Sequence, residues 1–137
     1  MTNAAQRSGT QVSREAHNAF YQAFLDWLRS IGAPAAHGRV RTYHEPVTMV
    51  GDAFEFVWYP YVRAKASDQT SYLLQWSGDT IKVVGIRDSG ESGYTPENTM
   101  LRTPAEMKAF VHAATSRSRK SVESARYGRR RYFYGYR

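Results

Sequence analysis

Apolar residues recur at helical spacing near the start of the chain, in residues 13–32, SREAHNAFYQAFLDWLRSIG. Ser13 is a residue type that caps helix starts, and Gly32 followed by Pro34 is typical of a helix end. The pattern predicts an amphipathic helix whose aromatic stripe packs on the protein core or, alternatively, fills a groove of a partner. The stripe consists of Ala16, Phe20, Ala23, Phe24, Trp27, Leu28 and Ile31.

The spacing changes from helical to alternating after residue 38. Residues 39–45 alternate as far as Pro46, residues 53–61 form the clearest alternating run, and residues 71–76 and 80–88 follow as two more strand-like segments. Turn sequences, Gly51-Asp52 and Ser77-Gly78-Asp79, lie between them. We expect four antiparallel strands, with Pro60 at a bulge or a sheet edge. In the clearest run, one face carries Phe54, Phe56 and Trp58, and the other carries Glu55, Val57, Tyr59 and Tyr61.

A polar stretch, SGESGYTPENT at residues 89–99, is predicted to be a surface loop because it is rich in Gly, Ser and Pro-containing turns. A helix start follows at residues 103–106, where Thr103 is suited to cap, Pro104 fits the first helical position and Glu106 completes a capping box. Weaker apolar spacing extends this helix to about Gly128, where we expect it to break. Its predicted buried face comprises Met107, Phe110, Val111 and Ala114, with Val122 and Ala125 further along.

This element order predicts an α+β fold with two layers. An antiparallel sheet of about four strands carries the N-terminal and C-terminal helices packed on one face. The expected organisation is a flexible N-terminus at residues 1–12, a single domain at residues 13–116, and a basic, aromatic extension at residues 117–137.

Two segments on this predicted scaffold resemble a small actinobacterial family. Residues 83–89, VVGIRDS, and residues 101–106, LRTPAE, followed by Phe110-Val111, are similar to the strand end, loop and capped helix of the BldB-like developmental regulators. Many members of that family are encoded beside helix-turn-helix regulators. The resemblance covers residues 71–113 and implies a regulatory or partner-binding role. Met107 stands where the family usually has Trp, and the loop is longer than usual.

The composition narrows the class of protein. Forty-two per cent of the 137 residues are hydrophobic, which excludes wholesale disorder, and no apolar run approaches the length of a membrane span. Because the chain has no cysteine, disulfides and thiolate metal sites are excluded. We therefore expect a soluble, cytoplasmic protein, or one within a phage particle under the alternative function below.

The charge is concentrated in residues 117–137, RSRKSVESARYGRRRYFYGYR. They hold eight basic residues and one acidic residue, so their net charge of +7 equals the net charge of the whole chain. Arginines bind phosphates and aromatic rings stack on bases, so this composition predicts contacts with nucleic acid. The candidates are Arg117, Arg119, Lys120, Arg126, Arg129, Arg130, Arg131, Tyr132, Phe133, Tyr134, Tyr136 and Arg137.

Other interpretations of this extension stay open. It can be a solvated basic tail, its aromatic residues can dock on the sheet as a final strand, or it can insert into an acidic protein partner. Secondary candidates for an extended basic or stacking surface are Arg39, Arg41, Tyr59, Tyr61, Arg63 and Lys65.

Catalytic and metal-binding patterns are weak, and no cofactor is predicted. The four histidines, His17, His37, His44 and His112, lack the close spacing of a zinc motif. The loop at residues 88–93, DSGESG, has acids and hydroxyls but neither the spacing of an EF-hand nor the lysine of a P-loop. A deep pocket lined by His44, Asp88 or Glu91 would instead favour an enzyme.

The sequence thus favours a non-enzymatic nucleic-acid-binding or regulatory protein that acts through its basic extension, with no membrane contact. The alternative is a structural protein of a larger assembly, such as a bacteriophage particle, whose extension docks on a neighbouring subunit. The protein could then form a homo-oligomer or be part of a larger assembly.

Overall fold

The computed structural model describes residues 10–33, 39–40, 47–61 and 64–135, with side chains given for all of these except 39–40 and 126–135. In the described chain, one short strand precedes the first helix and six strands lie between the two helices. A short 3₁₀ turn at Ala66–Asp68 precedes the fifth strand. In chain order the elements are β1 (Thr10–Gln11), α1 (Arg14–Ser30), β2 (Arg39–Val40), β3 (Thr48–Val50), β4 (Ala53–Tyr59), β5 (Ser71–Trp76), β6 (Ile81–Arg87), β7 (Thr95–Leu101) and α2 (Pro104–Gly135).

The strands form one antiparallel sheet. Its order is β1-β3-β4-β5-β6-β7, and β2 pairs with the far end of β4. The predicted α+β class, with an antiparallel sheet and two helices, is confirmed, but the predicted number of about four strands was too low. The prediction of a strand at residues 39–45 lies partly outside the described residues, because only Arg39–Val40 is described.

Strand β7 is the main departure from the predicted fold. Residues 95–99 were expected in a surface loop, whereas Thr95–Leu101 is a strand that pairs with β6 through five residue pairs. Pro96 and the surrounding polar residues are tolerated because β7 is at the sheet edge, where six of its residues are exposed. Pairing with β6, rather than an apolar pattern, therefore determines this strand.

The two predicted turns of the sheet are confirmed. Gly51 has a φ of +63° between β3 and β4, and Gly78 has a φ of +104° between β5 and β6. Ser77 and Thr80 close the second hairpin, with a backbone hydrogen bond of 3.3 Å and hydroxyls 2.7 Å apart. Pro60 follows the last residue of β4, as expected for a residue that cannot donate to a sheet ladder.

The aromatic face of the sheet holds the main core. The Phe20 ring of α1 lies 4.7 Å from the rings of both Phe54 and Phe56, and the Phe24 ring lies 5.3 Å from that of Trp76. These contacts bury Phe20 and Phe24 almost completely. The predicted α1 stripe therefore packs on the core of its own chain, except for Ala23, which is exposed.

Helix α2 covers the same face of the sheet. Its Phe110 ring lies 6.1 Å from Trp58 and 5.4 Å from Tyr72, and Met107 and Val111 belong to the same apolar cluster as α1. Both helices therefore pack on one sheet face, as the alternation of β4 predicted. The opposite face carries a smaller cluster around Val57, Tyr59 and Leu73.

Both helices begin where their sequences indicate, and α1 also ends there. Ser13 Oγ accepts a hydrogen bond from Ala16 N at 3.1 Å and caps α1. At its other end, Gly32 has a φ of +78°, and the bonds Gly32 N to Arg29 O and Ala33 N to Leu28 O form a Schellman motif. In α2, Glu106 Oε1 accepts from Thr103 N at 3.1 Å and Thr103 Oγ1 accepts from Glu106 N at 3.2 Å, which completes the predicted capping box.

Helix α2 is longer than predicted. It continues through Gly128 to Gly135, so the predicted break at Gly128 was wrong. A single glycine inside a helix costs only about 1 kcal/mol relative to alanine, which the good helix formers around it offset. At about 1.5 Å per residue, the 32 residues of α2 span about 48 Å. No helix in the described part of the chain combines the length and the apolar character needed to cross a membrane.

Gly85 is expected to tolerate no side chain. A Cβ atom there would lie 2.9 Å from Tyr94 Cβ, at the point where the β6–β7 register shifts. We expect Gly85→Ala to force these strands apart and lower the free energy of unfolding by about 1–3 kcal/mol, measured by urea denaturation. Gly93→Ala is the control, because a Cβ atom there meets nothing within 4 Å. Equal effects of both substitutions would contradict the steric explanation.

His17 is expected to make stability depend on pH. Burial lowers the pKa of His17 below its ordinary value of 6.5, so the unfolded chain binds more protons than the folded one near that pH. Stability should be fully present above pH 6.5 and should decrease as the pH falls below it. His17→Gln should flatten this part of the urea-midpoint profile, whereas His112→Gln, at an exposed site, should leave it in place. A profile that His17→Gln does not change would contradict the assignment.

Candidate functional site

An ion pair joins the end of β6 to the middle of α2. Arg117 Nη2 lies 3.0 Å from Asp88 Oδ1 and 2.9 Å from Oδ2, and both side chains are about half exposed. Thr70 Oγ1 donates to the same carboxylate at 2.9 Å. Asp88 therefore binds α2 and the residue that precedes β5 at once.

Two serines of α2 complete this contact. Ser118 Oγ donates to the carbonyl oxygen of Thr70 at 2.6 Å and is fully buried, and Ser121 Oγ lies 2.7 Å from Thr70 Oγ1. We refer to Thr70, Asp88, Arg117, Ser118 and Ser121 as the Asp88 junction. Since Ser118 and Ser121 are three residues apart, one face of the helix presents both to the sheet.

The strand register explains how the Asp88 junction forms. Ser71 pairs with Arg87 across β5 and β6, so the residues immediately outside that pair, Thr70 and Asp88, are neighbours. The loop that follows is fixed by Glu91 Oε1, which accepts from Asp88 N at 2.7 Å, and by Ser89 Oγ, which donates to Ser67 O at 3.2 Å. Glu91 thus holds the backbone of its own loop, and the Ser89 hydroxyl joins the loop to the 3₁₀ turn.

Open cavities lie on the two sides of Asp88. One, of about 500 Å³, is lined by both the loop and α2, and we call it the α2 groove. The other, of about 370 Å³, faces the 3₁₀ turn and includes Arg87 and Glu91. The residues that line the α2 groove are Asp88, Ser89, Arg117, Lys120, Ser121, Ser124 and Ala125.

Tyr72 lies beneath the Asp88 junction. Burial raises the pKa of Tyr72 to about 12; the Arg117 charge opposes the rise and the Asp88 charge adds to it. The phenol therefore stays protonated at neutral pH. Tyr72 packs on Phe110 and Trp58, so its role is in the core.

The predicted nucleic-acid candidates up to residue 134 lie on one helix, α2. Arg119 and Lys120 are exposed on α2, while Arg117 is shared with Asp88. Gly135 ends the helix, and the side chains beyond residue 125 lie outside the description. The candidates whose backbone is helical but whose side chains are not described are Arg126, Arg129, Arg130, Arg131, Tyr132, Phe133 and Tyr134, and those outside the described residues are Tyr136 and Arg137.

This geometry changes two interpretations of the extension. The idea that its aromatic residues form a final strand is wrong, since residues 132–134 are helical. Helix α2 also continues without a break across residue 117, the expected boundary of the domain. Ser118 and Val122, which follow this boundary, are buried against the body. We call residues 117–135 the basic helical segment.

The secondary candidates with described side chains, Tyr59, Tyr61 and Lys65, differ in exposure. Tyr59 is fully buried, and its hydroxyl accepts a hydrogen bond from Arg87 at 3.0 Å, so its prediction as an exposed stacking residue was wrong. Tyr61 is half-buried, with its backbone N–H and C=O bonded to the Gln69 side chain at 2.9 and 2.8 Å. Lys65 is exposed. Arg41 and Arg63 lie outside the described residues, and for Arg39 only the backbone is described.

No cluster of metal-binding side chains occurs among the residues with described positions. His17 stacks on Tyr21 and His112 is exposed, while His37 and His44 fall outside them. Asp88 and Glu91 are both occupied by the hydrogen bonds described above.

Sequence reasoning missed the role of the serines and of Thr70. Their only signal was the spacing of Ser118 and Ser121 on the face that continues the apolar stripe of α2. A polar residue in such a stripe indicates a buried hydrogen bond at that position, since burying it without one is costly.

Ser118 should contribute more to stability than its exposed neighbours. In Ser118→Ala the buried carbonyl of Thr70 loses its 2.6 Å hydrogen bond, which should lower the free energy of unfolding by about 1–3 kcal/mol. Ser124→Ala, at an exposed position of the same helix, should change it by less than about 0.5 kcal/mol. Urea midpoints at unchanged m-value provide the measurement, and similar midpoints for both variants would contradict the assigned role.

Comparison of the chain with models of known protein families, with curated proteins and with solved structures gave no significant match. The resemblance to the BldB-like family stays a prediction. Its two segments occupy the β6 end with Asp88 and Ser89, and the β7–α2 capping box with Thr103 and Glu106. In this chain both segments serve to position α2.

Proposed function

We propose that the protein is a non-enzymatic nucleic-acid-binding or regulatory protein whose basic helical segment contacts the sugar–phosphate backbone. The observation that supports it most is the continuity of α2, which joins a body with no net charge to residues that carry the whole excess of +7. Because the helix is anchored as far as Val122, the charges beyond it are borne on a fixed element rather than on a free chain.

A fixed basic helix has a physical advantage over a tail. Ordering a flexible segment on binding costs conformational entropy, and a helix formed beforehand has already met that cost. An α-helix also fits the major groove of a DNA duplex, which is about 12 Å wide, and arginines contact phosphates in two-pronged geometry. The aromatic residues at 132–134 add stacking surfaces suited to exposed bases.

The chemistry of the basic helical segment suits phosphate contacts and disfavours the readout of adenine edges. Residues 117–135 contain no Asn or Gln, the amide side chains that pair with adenine edges. Binding should therefore depend on salt more than on sequence.

The test is a triple substitution, Arg129→Gln, Arg130→Gln and Arg131→Gln, in the full chain. Glutamine preserves helix propensity while removing three charges. The slope of log affinity against log salt should become shallower by roughly two units on single strands and roughly three on duplex. The control removes three cations from the body, with Arg14→Gln, Lys82→Gln and Lys108→Gln, and should leave the slope nearly unchanged.

Substitution is preferable to deletion of the segment because a cut at residue 117 would remove Ser118 and Val122 from the body. A wild-type protein without measurable affinity for single- or double-stranded probes at low salt would overturn the proposal. If such a protein also formed an oligomer that the triple variant loses, by light scattering, the assembly-protein alternative would replace it.

A further inference from the structure

We propose that the α2 groove is the seat of one backbone phosphodiester, and that this phosphate fixes where a nucleic-acid strand meets the helix. The inference rests on the proposed function and specifies its first contact. The groove has a volume of about 500 Å³ and lies between the loop after β6 and the exposed side of α2. It thus lies beside Ser118 and Val122, two residues of α2 that are buried against the body.

Arg117 offers unused donors at this groove. Its Nη2 makes both contacts to Asp88, while its Nε and Nη1 hydrogens have no hydrogen-bond partner among the residues that the structure describes. A guanidinium held at one edge by a carboxylate presents its remaining N–H groups in a fixed plane, which matches the oxygens of a phosphate. Asp88 is therefore a positioning residue for Arg117.

Lys120 and Ser124 supply the other donors. Both are exposed and line the groove, and within the described ranges the Lys120 ammonium has no ion-pair partner and the Ser124 hydroxyl no hydrogen bond. Ser89 lines the groove from the loop side, but its hydroxyl hydrogen is donated to Ser67 O at 3.2 Å and is not counted among these donors. An ammonium, a guanidinium edge and a serine hydroxyl are donor types that bind phosphate oxygens.

The charge of the groove indicates which phosphate it accepts. Arg117 and Lys120 bring two positive charges and Asp88 one negative charge, so the ionisable side chains of the lining sum to +1. A phosphodiester has one negative charge, whereas a phosphomonoester approaches two at neutral pH. The Asp88 carboxylate therefore disfavours the more highly charged monoester and free phosphate, and the groove suits the interior of a nucleic-acid strand.

The position along α2 connects this site to the rest of the basic helical segment. Arg126 and residues 129–131 follow Ser124 within about two turns of the same helix. A strand seated at the groove can therefore continue along these residues without leaving the helix. The salt dependence of binding should contain one contact from the groove in addition to those from the arginines beyond it.

The test compares two pairs of variants in the full chain with a 20-base-pair duplex. Lys120→Ala should make the salt slope shallower by about 0.9, and Lys108→Ala, which removes the same charge from the same helix, should not. Ser124→Asp should weaken binding roughly tenfold by placing a like charge at the phosphate. Ala113→Asp, at another exposed position of α2, should weaken it less than about threefold by general repulsion alone.

The results separate the groove from the wider function. If the wild type binds and the arginine triple variant weakens binding, but both groove variants behave like their controls, the groove inference is overturned and the proposed function remains. If the wild type binds neither probe, both are overturned. Saturable backbone amide shifts at Ser89 and Ser124 with millimolar inorganic phosphate, undiminished in competition with duplex, would instead identify a free-phosphate site and also overturn the inference. Matching thermal midpoints of each variant and its control show that the fold is intact.

Discussion

Helix α2 is held on the sheet by two kinds of contact that act at different places along its length. Its first turns bury Met107 and Val111 in the main core, and about two turns later Ser118 and Arg117 bond to Thr70 and Asp88. The apolar contacts fix which side of the helix faces the sheet. The hydrogen bonds fix its axial position, because they require particular atoms to meet. The location of every charge beyond residue 117 depends on these two anchors.

This transition from apolar to polar anchoring bears on the proposed function. If the apolar stripe of α2 continued to the end of the helix, the whole helix would be buried. If α2 lacked its polar contacts with Thr70 and Asp88, it would leave the sheet where the apolar stripe ends. In α2 the burial of Val122 follows the Asp88 junction, after which the sequence becomes cationic. Under the proposed function, a basic segment that is already helical lowers the conformational entropy that binding to a phosphate backbone costs.

The sheet supports this arrangement through its own asymmetry. One face is filled by the aromatic side chains of β4 and β5 and the two helices, while the other keeps a small cluster around Val57, Tyr59 and Leu73. Arg87 crosses that second face, bonded to the Tyr59 hydroxyl and placed 4.9 Å over the Tyr94 ring. Its neighbour Asp88 turns toward α2, so the end of β6 serves both faces of the sheet.

The local physics of the chain determined its helices, its turns and the two faces of β4, because apolar periodicity, caps and glycine conformations act over a few residues. The α1 stripe, the Gly51 and Gly78 turns and the Thr103–Glu106 box were all predictable for that reason. Strand β7 was not, because its stability comes from pairing with β6 and its own sequence is polar. The Asp88 junction was equally hidden, since Thr70 and Ser118 are 48 residues apart and only the folded register brings them together. The sequence by itself determined that the excess charge lies in residues 117–137. The tertiary structure decided that residues 117–135 continue an anchored helix, because long-range hydrogen bonds set the position of α2 and only the folded register decides their partners.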